Sequence, residues 1–253
     1  KYQKVNHIFI SHLHGDHFFG LVGLISTLHL LGRTKDLHIY CPKELEQIIQ
    51  LQLDVSHSEL RYKLLFHYHN FDEKTLIYQN SNLSVYSLPL NHRIPCCGFI
   101  FEEKPKPKKL IKEKLPHWLN LEQISDLLNG NDIIDDKGKL AFKNEELTLE
   151  AEKPRSFAYC SDSRVDKNYP KHLKNIDLLY HETTFLDNLK DRAEATFHST
   201  ALEVGEIAFK NEIKQLIIGH FSARYKNLST FITEVQLNFE NVNLAEEGKT
   251  YNI

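Results

Sequence analysis

Methionine is absent from all 253 residues, position 1 included, and the chain opens on Lys1. Such a sequence reads as a fragment of a longer protein. No apolar run reaches the roughly 18 residues that a membrane-spanning helix needs, and no basic-then-apolar leader opens the chain. A spanning helix and a membrane partner are therefore not expected, and the cytoplasm is the expected location. Cysteine is scarce: Cys41, Cys96, Cys97 and Cys160 form no C-x-x-C, and the adjacent pair is poorly placed for a disulfide. Reduced thiols follow. Nor is there an excess of positive charge. The net value of −3 excludes a globally basic nucleic-acid binder but leaves room for a local basic patch. Internal repeats are missing too. What is present suits a globular protein: 41% apolar residues, enough for a core, and 26% charged ones.

The densest feature is Ser11-His12-Leu13-His14-Gly15-Asp16-His17, three imidazoles and a carboxylate directly after the apolar run Val5 to Ile10. If Val5 to Ser11 is a strand, His12 and His14 lie two residues apart and point the same way. Gly15 then permits a sharp turn, and Asp16 suits the N-cap of a helix beginning near His17. Four such groups on one loop suit zinc and can serve two adjacent ions. A chance surface cluster of histidines is the alternative, and the strand–turn–helix setting argues against it.

Apolar spacing predicts a buried helix over 17–31, ended by Gly32, a strand over 37–41, and a helix opened by Pro42 and running to about Val55. Short strands follow over 64–68, 75–78, 83–88 and 98–102. The stretch 103–154 changes character, being rich in Lys, Pro, Asn and Asp, with one amphipathic helix over 121–128. Strands over 156–160, 177–181 and 214–219 and helices over 200–210 and 228–239 complete the pattern. Strands alternating with helices argue for a layered α/β domain, with 103–154 inserted as an arm.

Three further positions each follow a predicted strand: His92, Asp162 and His220. His12, His14, His92 and Asp162 would surround one ion. Asp16, His17, Asp162 and His220 would surround a second, with Asp162 bridging and water completing both. With this set the chain resembles the metallo-β-lactamase superfamily, whose pattern is H-x-H-x-D-H, a lone His, a bridging Asp and a final His. Narrower motifs are similar to those of the ribonuclease Z family. His181-Glu182-Thr183-Thr184-Phe185 resembles its HEAT segment, with Thr183 in place of Ala; His198-Ser199-Thr200-Ala201 matches its HST segment; and His220-Phe221-Ser222-Ala223-Arg224-Tyr225 matches its H-x-S-x-R-Y ending. Cys160-Ser161-Asp162-Ser163 stands where that family has S-G-D-T, and keeps the Asp.

The resemblance implies a four-layer αββα sandwich spanning 1–253, with 104–132 as an exosite-like arm. It also implies N-terminal strands that are missing from this chain. It further implies two zinc ions per subunit, precursor tRNA as substrate, and a homodimer. The chemistry would be phosphodiester hydrolysis by two ions about 3.5–4 Å apart that activate water. Asp16 would hold an ion and accept the proton of the nucleophile, while His198, polarised by Glu182, would protonate the leaving 3′-oxygen. His181 reads as a structural support. Arg224 is either a phosphate clamp or a structural ion pair; Ser222 and Tyr225 are weaker candidates. Lys104, Lys106, Lys108 and Lys109, stiffened by Pro105 and Pro107, would contact RNA phosphates or simply form a solvated face. The arm lacks the Gly-Pro-rich tip of the bacterial family members. Trp118 would anchor it or touch RNA. Two rival readings remain: a hydrolase of small phosphodiesters or thioesters, and a catalytically inactive RNA-binding homologue.

Overall fold

The structure, a computed structural model, describes residues 2–253. It divides into two compact units: residues 2–79, 84–102 and 156–253 form the first, and 80–83 with 103–155 the second.

In the first unit, β1 (His7–Phe9), α1 (Gly15–Leu30), β2 (Leu37–Cys41), α2 (Glu44–Val55) and β3 (Leu64–Tyr68) build a parallel three-stranded sheet in the order β1-β2-β3. Alternation along the strands sorts the side chains to two faces. Leu37, Ile39 and Cys41 of β2 pack with Leu21, Ile25 and Leu28 of α1 and with Leu45, Ile49 and Leu53 of α2. The intervening His38 and Tyr40 turn the other way. There Phe9 stacks on Tyr40 and meets Phe99 and Phe101 of the second sheet at 5.4 and 5.5 Å.

That second sheet has seven strands. β4 (Thr75–Gln79), β5 (Leu83–Leu90) and β6 (Cys96–Glu103) precede the second unit, whose elements are β7 (Lys109–Leu110), α3 (Leu121–Leu128), β8 (Ile133–Ile134), β9 (Leu140–Phe142), α4 (Asn144–Leu147) and β10 (Thr148–Leu149). After it come β11 (Ser156–Cys160), β12 (Leu178–Glu182), α5 (Lys190–Thr196), α6 (Ala201–Lys210), β13 (Gln215–Gly219), α7 (Ser229–Val235) and β14 (Val242–Leu244). The order is β14-β13-β12-β11-β6-β5-β4, with β11 to β14 parallel. Its outer face, carrying Ile100, Ala158, Leu179, Leu216 and Ile218, packs on Ala201, Val204 and Ala208 of α6 and on Phe231 and Val235 of α7. The fold is thus mixed α/β, as expected. No helix among the described residues is long and apolar enough to cross a membrane.

Three local expectations need correction. Helix α1 starts at Gly15, two residues early, so Asp16 lies in its first turn and His14 occupies the N-cap without a side-chain cap bond. The helix begins early because His17 N–H already bonds His14 C=O at 3.0 Å, and Asp16 instead sets its charge against the positive end of the helix dipole. Gly15 consequently makes no left-handed turn; it is not among the positive-φ residues. Pro42 precedes α2 rather than occupying its first position, since the helix opens at Glu44.

The second unit has its own core of Leu127, Ile133 and Leu147, flanked by Leu110, Leu115, Leu119, Ala141 and Phe142. The stretch 104–132 therefore supplies only part of a folded insertion that runs to Arg155. Asn144 ties the pieces together, its amide donating to Leu127 O at 2.8 Å and Asn131 O at 3.0 Å. At the neck, Glu103 N–H donates to Arg155 C=O at 2.9 Å, and the Arg155 guanidinium grips the Glu103 carboxylate at 2.6 and 3.0 Å.

All four cysteines are free and buried. Burial pushes the Cys41 and Cys160 thiols up to about 12, leaving them unreactive.

Candidate metal centre and its acid–base pair

The strands of both sheets deliver the polar side chains at their C-terminal ends. His12 and His14 follow β1, His92 follows β5, Asp162 follows β11, Glu182 ends β12 and His220 follows β13. His220 sits there with φ 61°, a left-handed conformation that costs a β-carbon-bearing residue of order 1–2 kcal/mol.

Asp162, only 4% exposed, is the hub. Its Oδ2 lies 3.5 Å from His17 Nε2, 3.8 Å from His12 Nε2 and 3.9 Å from His92 Nε2; its Oδ1 lies 3.3 Å from His220 Nε2. Ligand atoms of His12, His14, His92 and Asp162 lie within 4.8 Å of one another, and so do those of Asp16, His17 and His220. The structure therefore brings together all seven expected ligand residues.

The second ring nitrogens explain the aim of the first. His12 Nδ1 faces Ser11 Oγ at 3.0 Å, and His92 Nδ1 donates to Phe197 C=O at 3.1 Å. Phe197 offers that carbonyl because it ends α5 in the left-handed region, φ 60°. Such outward bonds fix ring tautomer and orientation. Meanwhile His12 Nε2 and His17 Nε2 are buried without any hydrogen-bond partner among the described residues. Orphaned imidazole nitrogens gathered round a carboxylate are the donor set of a divalent cation such as zinc, so these residues fit the metal that the fold implies.

Electrostatics follow the same geometry. Burial opposes ionisation of Asp162, but the imidazoles of His17, His220 and His12 that face it prevail and hold it well below the usual carboxylate range. Burial, with the neighbouring His17, drives His12 down to about 3, so its ring is neutral and its lone pair free. His17 is raised in spite of burial, because Asp162 and Asp16 favour its charged form.

Beside this cluster lies Glu182, fully buried. Its Oε1 accepts from Ser163 N–H at 3.1 Å, Ser199 N–H at 3.0 Å and His198 Nδ1 at 3.0 Å. Its Oε2 accepts from the N–H and the hydroxyl of Thr184, both at 2.8 Å. Five donors converge on one carboxylate. Burial alone would lower the His198 pKa, but the hydrogen bond and charge of Glu182 outweigh it and raise the net value. His198 also lies close enough to Asp162 and His220 to share a ligand grouping with them, but its Nδ1 is committed to Glu182.

His181 is the structural support expected: it is buried, donates from Nδ1 to Glu182 C=O, and its Nε2 accepts from Tyr169 OH at 2.9 Å. Tyr225 OH accepts from Leu186 N–H at 3.2 Å. Arg224 makes no ion pair among the described residues. Its Nε donates to Ser222 Oγ at 2.9 Å and its guanidinium lies over the Phe185 ring at 5.1 Å.

Within the inserted unit the exposed lysines face carboxylates. Lys108 pairs with Glu150 at 2.7 Å, and Lys109 and Lys106 with Glu152 at 2.8 and 3.4 Å. Lys104 N–H donates to Asn82 C=O. From Glu103 to Arg155 inclusive, eleven basic residues balance eleven acidic ones. Trp118 is 56% exposed, its ring 6.2 Å from Phe142.

Thr184, Ser163 and Ser199 fall inside the segments that carry the family resemblance, but the sequence gives them no role, and the Phe197 carbonyl leaves no signal in it.

No protein-family model matches the chain. Known proteins do. It is 44% identical over 249 residues to the ribonuclease Z of Bacteroides thetaiotaomicron, covering 98% of this chain and 78% of that one. With the ribonuclease Z of Cytophaga hutchinsonii it shares 45% over 239 residues, 94% of this chain and 76% of the relative. Among solved structures, the short form of human tRNase Z superposes with a TM-score of 0.65 at 25% identity, covering 97% of this chain and 78% of that one. The metallo-β-lactamase fold protein YhfI of Bacillus subtilis gives 0.64 at 17%, covering 98% and 77%, and shows the fold alone. With such identity sustained over most of both lengths, the chain belongs to the ribonuclease Z family.

Proposed function

We propose that this chain is a zinc-dependent endoribonuclease that cuts precursor tRNA on the 3′ side of the acceptor stem and releases the trailer. The observation that carries the reading is the Glu182–His198 pair set against a seven-ligand Asp/His cluster, in a chain of this family. His12, His14, His92 and Asp162 would hold one zinc ion; Asp16, His17, Asp162 and His220 would hold the second. Two such ions supply an activated water at neutral pH and screen the charge that grows on the phosphate. The protein's own groups do the rest. Asp16, with its side chain 71% exposed, would accept the proton of the attacking water as well as hold an ion. His198 is held through Nδ1 by Glu182, so its Nε2 edge is the one left to protonate the departing 3′-oxygen. Arg224, with no carboxylate partner, has its planar fork available for a backbone phosphate.

Lys104, Lys106, Lys108 and Lys109 are the weakest substrate contacts, because Glu150 and Glu152 already neutralise three of them. The enzyme would act in the cytoplasm as a homodimer, which sedimentation would register as twice the chain mass. The deciding experiment incubates zinc-loaded protein with a 3′-extended tRNA and maps the product ends. Cleavage at the 3′ end of the acceptor stem, abolished by a chelator, is expected. Hydrolysis of bis-p-nitrophenyl phosphate with the tRNA left intact would favour the small-phosphodiester reading instead.

A further inference from the structure

We infer that Thr184 is a positioning residue, whose hydroxyl sets the ring tautomer of His220 and ties that ligand to the Glu182–His198 pair. Thr184 is 7% exposed and its Oγ1 has three polar neighbours: Glu182 Oε2 at 2.8 Å, His220 Nδ1 at 2.8 Å and His198 Nδ1 at 3.2 Å. A hydroxyl owns one proton, and a carboxylate oxygen only accepts. The proton of Thr184 therefore goes to Glu182, and towards the imidazoles its oxygen can only accept. His220 must then carry its hydrogen on Nδ1. A neutral imidazole has a single N–H, so the lone pair lies on Nε2, which faces Asp162 Oδ1 at 3.3 Å. Two acceptors facing each other at that distance are reconciled by a cation between them, not by a hydrogen bond.

The backbone fixes this arrangement. Glu182 and Gly219 are partners across the parallel pair β12 and β13, so Thr184 and His220 leave the sheet side by side. Thr183 N–H donates to Gly219 C=O at 2.8 Å, and Ser222 N–H to Thr184 C=O at 3.1 Å, which clamps both flanks. His220 needs such a tether because its own backbone is held in the left-handed region. One hydroxyl thereby joins the metal-facing ligand to the carboxylate that orients the proton donor.

The inference rests on His220 being a metal ligand. Its test compares zinc affinity of the metal-free protein, by chelator competition, for wild type, Thr184→Val, Thr184→Ser and His220→Ala. Valine keeps the shape and removes the hydroxyl; it should weaken one of the two sites by about 10- to 100-fold, the usual effect of losing such an outer partner. Serine restores the hydroxyl and should stay within about threefold of wild type. Equal affinity in Thr184→Val, or an equally poor Thr184→Ser, overturns the role. If His220→Ala binds both ions as tightly as wild type, the ligand assignment fails instead. Should the valine variant not fold, long-range proton–nitrogen NMR of the metal-free wild type at pH 8 decides. A hydrogen on His220 Nδ1 supports the inference, and one on Nε2 alone refutes it.

Discussion

Replacing Glu182 by glutamine changes one atom in a side chain that five donors address. An amide offers one accepting oxygen and one donating NH2, so wherever it settles, donor meets donor. The least costly orientation places the nitrogen where Oε2 was. There the Thr184 hydroxyl can rotate to accept, but the Thr184 N–H, now 2.8 Å from its acceptor, is left unpaired in the interior. An unpaired buried N–H costs about 1–3 kcal/mol, and the variant should melt roughly 2–10 °C lower in a chain of this size. The catalytic effect should be larger. Without the carboxylate charge, burial and the nearby Arg93 lower the His198 pKa against the pull of Asp162 alone. A proton donor is active below its pKa and loses activity as pH rises through it. The alkaline limb of the single-turnover rate on a 3′-extended tRNA should therefore move to lower pH, with kcat reduced about 10²- to 10⁴-fold. The rate is read at saturating zinc, because a Thr184 hydroxyl that no longer donates to residue 182 also loosens its control of His220. A variant within threefold of wild type, with an unmoved limb, would refute the assignment of Glu182 and His198 as the proton-donating pair.

Asp162→Asn removes the one carboxylate that all four Nε2 atoms face, and should abolish tRNA cleavage while stripping zinc; full activity with full zinc would sink the bridging role. His69 donates from Nε2 to Ile10 C=O at 2.9 Å, just before the His12 motif, and its buried Nδ1 has no hydrogen-bond partner among the described residues. Burial lowers its pKa to about 4, so protonation favours the unfolded chain: the stability it contributes is present above the unfolded value of 6.5 and is lost as pH falls towards 4. His69→Gln keeps an N–H for Ile10 without titrating, so urea denaturation should show wild type losing about 2 kcal/mol more than the variant between pH 7 and 5. Identical pH slopes would contradict this. Excising 104–154 across a short Gly-Ser link should cost at least tenfold on precursor tRNA yet spare bis-p-nitrophenyl phosphate. Equal losses on both substrates would make the insertion a scaffold element.

Legibility from the sequence tracked the range of the interactions. The ligands His12 to His17 are neighbours in the chain, and His92, Asp162 and His220 each follow a strand legible from its apolar residues, so all seven could be named and the structure gathers them. The strands at 37–41, 64–68 and 156–160 agree to the residue for the same reason. What could not be read depends on distant partners. The donors around Glu182 come from residues 163, 184, 198 and 199, brought together only by the pairing of β11, β12 and β13. The lysines of 106–109 look unpaired until β7 pairs with β10 and brings Glu150 and Glu152 alongside. Helix α5, Lys-Asp-Arg-Ala-Glu-Ala-Thr, carries too few apolar residues to show a period. The N-cap was misplaced because the choice between His14 and Asp16 is made by one backbone hydrogen bond.

The neck at Glu103 and Arg155 bears on how such proteins diversify. Its two ends are adjacent and bonded to each other, so the chain leaves and re-enters at a single point. Lengthening a closed excursion is cheap, about 0.6 kcal/mol for each doubling. Insertions, deletions or a wholesale graft between lineages can thus remodel what lies beyond the neck without altering the register of β6 against β11. What lies beyond the neck becomes a separately heritable trait, free to drift while the strands that carry the ligand residues stay fixed.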